Sequence, residues 1–205
     1  MICWTIEAAL NSKHISQILI STDDSEIAEV CSDYNVEIPF LRPSHLATDD
    51  ALAVDVYNYT MERLAREKIY TQDEYAVLLP TVPFRDADDI NNAIDLFEKS
   101  QADSVISCKE VEFPMSWVFS LTEESKILFD ERFKHLRMLN RQDQVGAYVP
   151  NGAIYLLRHN LVMASKSYYS ENSLGFLMPN KKSVDIDTID DFMYAEFLSK
   201  YSSSL

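Results

Sequence analysis

The fold is decided by the stretch Ser183-Val184-Asp185-Ile186-Asp187-Thr188. Two apolar residues alternate there with Asp185 and Asp187, and this period of two predicts a half-buried β-strand. Side chains two apart on a strand share a face, so the two carboxylates can converge on one hard cation. Magnesium often takes only one or two carboxylates and leaves room for water and phosphate. The alternative is a pair of solvated edge residues, because Asp-x-Asp alone is a weak signal.

A helix is predicted directly after this stretch. Thr188 has the side chain of a helix N-cap, Asp190 and Asp191 place negative charge in the first turn, and apolar residues recur up to Leu198. The aspartates would then lie where a strand enters a helix, which is a common position for a site in an α/β sheet.

Composition and charge limit the possible partners. The chain has 205 residues, 47% of them hydrophobic, which predicts a single domain with a sizeable core. A net charge of −15 argues against nucleic acid or an anionic membrane as partner. No apolar run is long enough for a membrane span, and no signal peptide is visible.

Cysteine and glycine usage narrow the class further. Cys3, Cys31 and Cys108 are odd in number and have no C-x-x-C spacing, which predicts reduced thiols in a cytoplasmic protein. The chain has only 3 glycines, so no glycine-rich phosphate loop can be written in it.

Helix and strand patterns alternate in the first half of the chain. This alternation predicts an α/β fold: a mostly parallel sheet with helices on both faces. The predicted helices are 2–10, 25–34 (capped by Asp24), 51–67 (capped by Asp49 or Asp50) and 87–99 (capped by Asp86), and the predicted strands are 17–21, 36–40, 75–79 and 104–108.

The alternation breaks between residues 109 and 149. Short strand patterns and a cluster of basic residues there predict an inserted arm at about 110–148 that meets a partner subunit. The alternative is an ordinary surface loop with solvated charge. Beyond it we expect strands at 153–157, 174–178 and 183–186, and a short helix at 159–164.

Several segments, in this order, resemble the acylneuraminate cytidylyltransferases, also called CMP-sialic acid synthetases. The similarity extends from Ile2 to the last helix. The segments are Ile20-Ser21-Thr22-Asp23, Leu41-Arg42-Pro43 with Leu46-Ala47-Thr48-Asp49, Leu79-Pro80-Thr81-Val82-Pro83-Phe84-Arg85, and Pro150-Asn151-Gly152-Ala153-Ile154-Tyr155 with Asp185-Ile186-Asp187-Thr188.

The resemblance implies a Rossmann-like nucleotidyltransferase fold and a reaction. CMP would pass from CTP to a nine-carbon 2-keto sugar acid, such as sialic or legionaminic acid, with release of pyrophosphate. It also implies a homodimer and Mg²⁺ as cofactor. The implied roles are Asp185 and Asp187 as magnesium ligands, Arg141 of the dimer arm on the sugar carboxylate, Arg42 and Ala51 near the cytidine, and Thr81 and Asn151 in the sugar pocket.

Each implied role has a structural alternative. Arg42 would simply bond to loop carbonyls, Thr81 would satisfy a turn between prolines, and Asn151-Gly152 is by itself a good turn dipeptide. For Arg85 we favour an ion pair with Asp88 or Asp89 over a role in ligand binding.

The sequence departs from the family in two respects. Family members begin with a strand and an A-R-x-x-S-K-G loop that holds the CTP phosphates, and we expect this chain to be N-terminally incomplete in that region. Leu79 replaces a common sugar-contacting Gln, and Ser116 replaces a Lys that some members carry. Both replacements favour a modified nonulosonic acid over N-acetylneuraminate.

Two further functions remain open. The first is a non-catalytic, truncated paralogue that binds a sugar or a partner protein through the same fold. The second is a related sugar nucleotidyltransferase, for example one that uses the eight-carbon acid Kdo, which the Asn151–Tyr155 segment disfavours.

Overall fold

A computed structural model describes residues 1–71 and 73–201. Within them, no helix combines the length and the apolar character that crossing a lipid bilayer needs. The α-helices are α1 (Ile2–Leu10), α2 (Ser25–Cys31), α3 (Ala53–Arg66), α4 (Ala87–Ser100), α5 (His159–Ser165) and α6 (Ile189–Tyr201).

Four strands form the main sheet in the order β1-β5-β2-β6, and two others form a separate hairpin, β3-β4. The strands are β1 (Glu74–Val77), β2 (Ser104–Glu110), β3 (Phe119–Leu121), β4 (Ile127–Phe129), β5 (Tyr148–Arg158) and β6 (Ser173–Leu177).

The main sheet is mixed, and three of its four strands share one direction, as a mostly parallel sheet requires. β5 runs antiparallel to both β1 and β2, with Val77 and Ile106 both opposite Tyr155, whereas β2 and β6 pair in parallel. The apolar run at 153–157 carries no information about strand direction. Because the arm between β2 and β5 contains no crossover helix, β5 can return antiparallel to β2.

Helices cover both faces of this sheet, as predicted. Ile154 and Leu156 of β5 pack in a cluster with α4, whereas Tyr155 and Leu157 pack in a second cluster with Val54 of α3 and Val162 of α5. Successive residues of a strand point to opposite faces, so β5 takes part in both halves of the core.

The predicted strands at 17–21 and 36–40 form only an isolated β-bridge among the described residues. Leu19 and Glu37 form an isolated parallel bridge, in which the amide of Ile20 donates to the carbonyl of Glu37 at 2.9 Å. The predicted strand at 183–186 is wrong. Within the described chain, its one main-chain hydrogen bond to a distant segment runs from the amide of Ile186 to the carbonyl of Thr81.

Three of the predicted helix caps are confirmed. The side chains of Asp24 and Asp86 accept hydrogen bonds from the first turns of α2 and α4, and the Thr188 hydroxyl accepts one from the amide of Asp191. The cap predicted for α3 is wrong. Asp49 and Asp50 lie in a turn, and α3 begins after Leu52, which has no side-chain acceptor.

The predicted arm contains the β3-β4 hairpin and several short 3₁₀ turns. Its apolar side chains are largely exposed in the single chain, including Leu121, Ile127 and Val145.

Candidate active site

Asp185 lies in an irregular segment between the short 3₁₀ turn Asn180–Lys182 and α6. Its side chain is half-buried, and its Oδ1 atom is buried with no hydrogen-bond partner among the described residues. A buried carboxylate oxygen without a partner is costly, because burial removes the water that would otherwise solvate its charge. A cation at this position would remove the cost.

The backbone of β5 closely approaches this carboxylate at Gly152. A β-carbon at Gly152 would lie 3.6 Å from Oδ2 of Asp185 and 3.3 Å from Leu79 Cδ1 and Val82 Cγ2. The φ angle of Gly152 is +74°, which residues with a side chain rarely adopt. The close approach places Leu79 beside Asp185.

Thr81 belongs to the proline-rich loop at 80–85, which contacts the segment that carries Asp185. Its carbonyl accepts a hydrogen bond from the amide of Ile186 at 2.9 Å. Two of the segments that carried the resemblance, far apart in sequence, therefore meet at the candidate site.

Arg85 fixes the shape of this loop. Its Nη1 donates to the carbonyls of Leu79 and Val82 at 2.9 and 2.8 Å, and its Nη2 donates to the Thr5 hydroxyl. Burial lowers the pKa of Arg85 to about 10. The predicted ion pair with Asp88 or Asp89 is wrong, because the guanidinium turns towards the loop instead.

Lys182 forms the ion pair with Asp89 that was predicted for Arg85. Its Nζ lies 2.8 Å from Oδ2 of Asp89 and also contacts Asp86, at the start of α4. This ion pair ties the loop before Ser183 to α4.

Asn151 is almost completely buried between β5, β2 and the segment before Asp185. Its side chain bonds to Ser107 and Ser183 and leaves no surface for a ligand. Among the described contacts, those of Asn151 are therefore all with protein groups.

Two carboxylates with one intervening residue suit a magnesium ion, which keeps several waters in its coordination shell. Asp187 is exposed and therefore accessible, and Asp185 supplies the unpartnered oxygen. No group of three or more potential metal ligands is found in the described part of the chain. The residues present fit a metal that is held partly by water and by a phosphate.

Lys109 lies against this segment. Its Nζ donates to the carbonyl of Ser183 at 3.2 Å. Hydrogen bonds from Thr188 lower the pKa of Asp191, and the charge of Lys109 lowers it further. Sequence reasoning missed Lys109, because it approaches Ser183 only in the folded chain.

Arg42 and Ala51 make separate contacts of their own. Arg42 donates from Nη2 to Oδ1 of Asp23 at 3.2 Å, and its amide donates to the carbonyl of Thr22 at 2.7 Å. The amide of Ala51 closes a turn on Thr48. The first two segments of the resemblance are therefore joined by an ion pair, rather than by side-chain bonds from Arg42 to loop carbonyls.

Arg141 lies elsewhere, at the base of the arm. It begins a short 3₁₀ turn and lines a pocket of about 330 Å³ together with Glu110, Phe113 and Gln144. None of the residues lining this pocket belongs to the group around Asp185. Within one chain, the structure does not bring these two parts of the predicted site together.

A cluster of tyrosines lies on the α3 side of the sheet beside Leu79. The rings of Tyr155 and Tyr168 are 5.3 Å apart, and Tyr57 and Tyr75 pack around them. Burial raises the pKa of Tyr155, and Tyr168 and the Asp185 carboxylate raise it further. Sequence reasoning missed this cluster, because its members are distant from one another along the chain.

The sheet and the helices on both of its faces define an α/β fold, with the acidic segment beside a tight glycine. Among solved structures, CMP:2-keto-3-deoxy-manno-octonic acid synthetase complexed with CTP matches with a TM-score of 0.66. The match covers 98% of this chain and 88% of that one at 14% identity, so it shows the fold alone.

A sequence profile described as cytidylyltransferase matches residues 1–199, and the chain belongs to this family. It is 32% identical over 202 residues to pseudaminic acid cytidylyltransferase of Campylobacter jejuni, covering 98% of this chain and 85% of that protein. It is 30% identical over 199 residues to CMP-N,N'-diacetyllegionaminic acid synthase of Legionella pneumophila, covering 97% and 84%. The chain is therefore an enzyme of the nucleotidyltransferase class.

Proposed function

We propose that this enzyme transfers CMP from CTP to a nonulosonic acid and releases pyrophosphate. Family membership over residues 1–199 supports the transfer, and the names of the relatives support the kind of acceptor. In this reaction the anomeric hydroxyl of the sugar attacks the α-phosphorus of CTP. The protein contributes chiefly positioning and charge stabilisation.

The unpartnered Oδ1 of Asp185 is the observation that carries the proposal. Asp185 and Asp187 would hold Mg²⁺, as their charge and spacing favour. When bound, such a metal neutralises charge on the α-phosphate and helps to orient the attacking hydroxyl. Lys109 adds positive charge beside a segment that is otherwise acidic.

We assign the other substrate contacts to Arg42, Ala51, Thr81 and Arg141. Arg42 and Ala51 would lie near the cytidine, and Thr81 would line the sugar pocket. Arg141 would bind the sugar carboxylate, because a guanidinium can engage both oxygens of a carboxylate. The pocket at the base of the arm leaves its side chain accessible to such a group.

A homodimer would bring Arg141 of one subunit towards Asp185 of another. The exposed apolar side chains of the arm support this arrangement, because such a surface is stabilised when a second subunit covers it. Residues 1–205 would then form one nucleotidyltransferase domain with the arm at about 110–148 as its dimer contact. The three free cysteines fit a reducing, cytoplasmic location.

Leu79 favours an acceptor with an apolar substituent near the reacting end. Its side chain lies next to Gly152 and Asp185 and offers no hydrogen bond to a sugar hydroxyl. Ser116 is buried and donates to Oε1 of Gln144, so it makes no comparable contact. Modified nonulosonic acids such as legionaminic acid therefore fit better than N-acetylneuraminate.

The test is pyrophosphate release by the full chain with CTP, Mg²⁺ and a panel of acids. The panel contains pseudaminic, legionaminic and N-acetylneuraminic acid together with Kdo. We expect release with at least one modified nonulosonic acid and the formation of its CMP-sugar, identified by mass spectrometry. No release with any acid, in spite of measurable sugar binding, would favour a binding protein over an enzyme. Release with Kdo alone would reassign the acceptor.

A further inference from the structure

Ser183, two residues before Asp185, is held at every polar group it has. Its amide donates to the carbonyl of Asn180 at 3.0 Å, and its hydroxyl donates to the carbonyl of Pro179 at 2.9 Å. Its own carbonyl accepts from Nζ of Lys109 at 3.2 Å. The residue is only 1% exposed, so it is a fixed point from which the chain runs to Asp185.

Asn151 contributes the contact that links Ser183 to the sheet. Its Nδ2 donates to Oγ of Ser183 at 2.8 Å and to Sδ of Met178 at 3.5 Å. Its Oδ1 accepts from Oγ of Ser107 at 2.6 Å and from the amide of Ala153 at 3.1 Å. An amide side chain has two donors and two acceptor positions, so all four are used within the protein.

Main-chain amides, which can only donate, determine the direction of these hydrogen bonds. The main-chain amide of Ile154 can only donate, and it donates to Oγ of Ser107 at 2.7 Å. The main-chain amide of Ala153 likewise can only donate, and it donates to Oδ1 of Asn151 at 3.1 Å. The NH₂ group of Asn151 therefore turns towards Ser183, and the Ser107 hydroxyl donates its proton to Oδ1. The Ser183 hydroxyl then donates onward to Pro179. One orientation of Asn151 satisfies the whole series.

We propose that Asn151 is a positioning residue, which fixes the Asp185 carboxylate through Ser183 and is itself oriented by Ser107. This inference rests on the proposed function, and it moves Asn151 out of the sugar pocket. Groups that orient a metal ligand without touching the metal typically contribute about 10- to 100-fold to metal affinity. The effect of Asn151 should therefore appear in metal binding before any sugar is present.

The experiment measures Mn²⁺ binding to the full chain with CTP and without sugar, by electron paramagnetic resonance. Ser183→Ala and Ser107→Ala each remove one hydroxyl from the series. We expect each to weaken Mn²⁺ binding by about 10-fold, while KM for the sugar at saturating metal stays unchanged. Thermal unfolding of each variant reports whether it folds.

Ser104→Ala is the matched control. Ser104 lies on the same strand as Ser107 and is equally buried, but its hydroxyl bonds to the carbonyl of Tyr168 and to Ser173. It should lower stability comparably and leave Mn²⁺ binding at the wild-type level. Equal weakening by all three substitutions would mean that general loosening of the sheet is responsible, and the proposal would fail.

A double-substitution cycle separates a direct from an indirect role of Asn151. Asn151→Asp keeps the shape but removes the donor to Ser183, so its effect and that of Ser183→Ala should not add. Additive losses, or wild-type Mn²⁺ affinity with a raised KM for the sugar, would show that Asn151 contacts the sugar instead. A wild-type chain that binds Mn²⁺ but transfers no CMP would contradict the proposed function and leave the positioning role standing.

Discussion

The main-chain amide of Ile186 donates to the main-chain carbonyl of Thr81 over 2.9 Å. This single bond joins the proline-rich loop to the segment that carries Asp185 and Asp187, and Gly152 of β5 lies where the two meet. The candidate metal ligands are thus held by loops that the sheet supports, not by a strand of the sheet. Such a site depends on a few specific hydrogen bonds and on one glycine.

Replacing Asp185 by Asn should abolish most activity without lowering stability. The carboxylate is the proposed metal ligand, and groups that only orient such ligands already contribute about 10- to 100-fold, so we expect a loss of at least about 100-fold in kcat/KM. Because Oδ1 of Asp185 has no partner in the described chain, a neutral amide removes a desolvation penalty. The midpoint of thermal unfolding should stay the same or rise.

Asp190→Asn is the control for Asp185→Asn, since Asp190 is an exposed acid a few residues away. It should retain activity. If the midpoint of thermal unfolding of Asp185→Asn falls far enough to account for its loss of activity, a role of this carboxylate in metal binding is contradicted.

Gly152→Ala should destabilise the chain by about 1–2 kcal/mol, because a β-carbon is unfavourable at positive φ. The new methyl group would also press on Leu79 and Val82 at 3.3 Å and approach the Asp185 carboxylate. Urea denaturation measures the stability, and initial rates measure the effect on activity.

Gly175→Ala provides the comparison for Gly152→Ala. A β-carbon there would meet only Sγ of Cys108 at 3.3 Å, and its φ lies outside the left-handed region. We expect a smaller change in stability and no change in activity. Similar results for both glycines would show that the conformation of Gly152 is not a constraint.

Features set by neighbouring residues were the ones that the sequence predicted well. α1 has the predicted bounds, and Asp24, Asp86 and Thr188 cap their helices, because a helix start depends on side chains within one turn. The Asp185 segment remains a candidate site. Its alternating apolar residues, however, predicted a strand, and the structure has an irregular segment there.

Features that depend on distant residues were missed. The direction of β5 follows from how the arm returns, and a run of apolar residues is compatible with either direction. Lys109 approaches Ser183 only in the folded chain, and so do the members of the tyrosine cluster around Tyr155. Asn151 was recognised, but its burial could not be inferred from a turn-like dipeptide.

The stability contributed by Asp191 should depend on pH. Hydrogen bonds from Thr188 lower the pKa of Asp191 below its ordinary value of 3.8. Folding therefore favours the ionised form, and the contribution is complete above pH 3.8 and disappears as the pH falls through the lower, folded-state value. Asp191→Asn should be less stable than wild type at pH 7, with a difference that narrows towards pH 3. A difference that is independent of pH would show that its charge is unimportant.

The exposed hairpin of the arm should mediate dimer formation. Leu121 and Ile127 lie opposite each other across β3 and β4 and are 61% and 53% exposed. Replacing both by Asp should place charge in an apolar contact and convert the dimer to monomer, as measured by light scattering after size exclusion. Val30→Asp on α2, a position of similar exposure, should leave the dimer intact. A wild-type monomer would contradict the proposed contact.

The start of α3 offers a stabilising substitution. Leu52 occupies the N-cap with extended backbone angles (φ −72°, ψ 133°), and its side chain offers no acceptor to the amides of the first turn. Ser at this position can accept one of those hydrogen bonds, so Leu52→Ser should be more stable than Leu52→Ala by about 1 kcal/mol. The alanine variant accounts for the loss of the leucine side chain. Equal stability of the two variants in urea denaturation would show that the first turn of α3 has no unmet need for a cap.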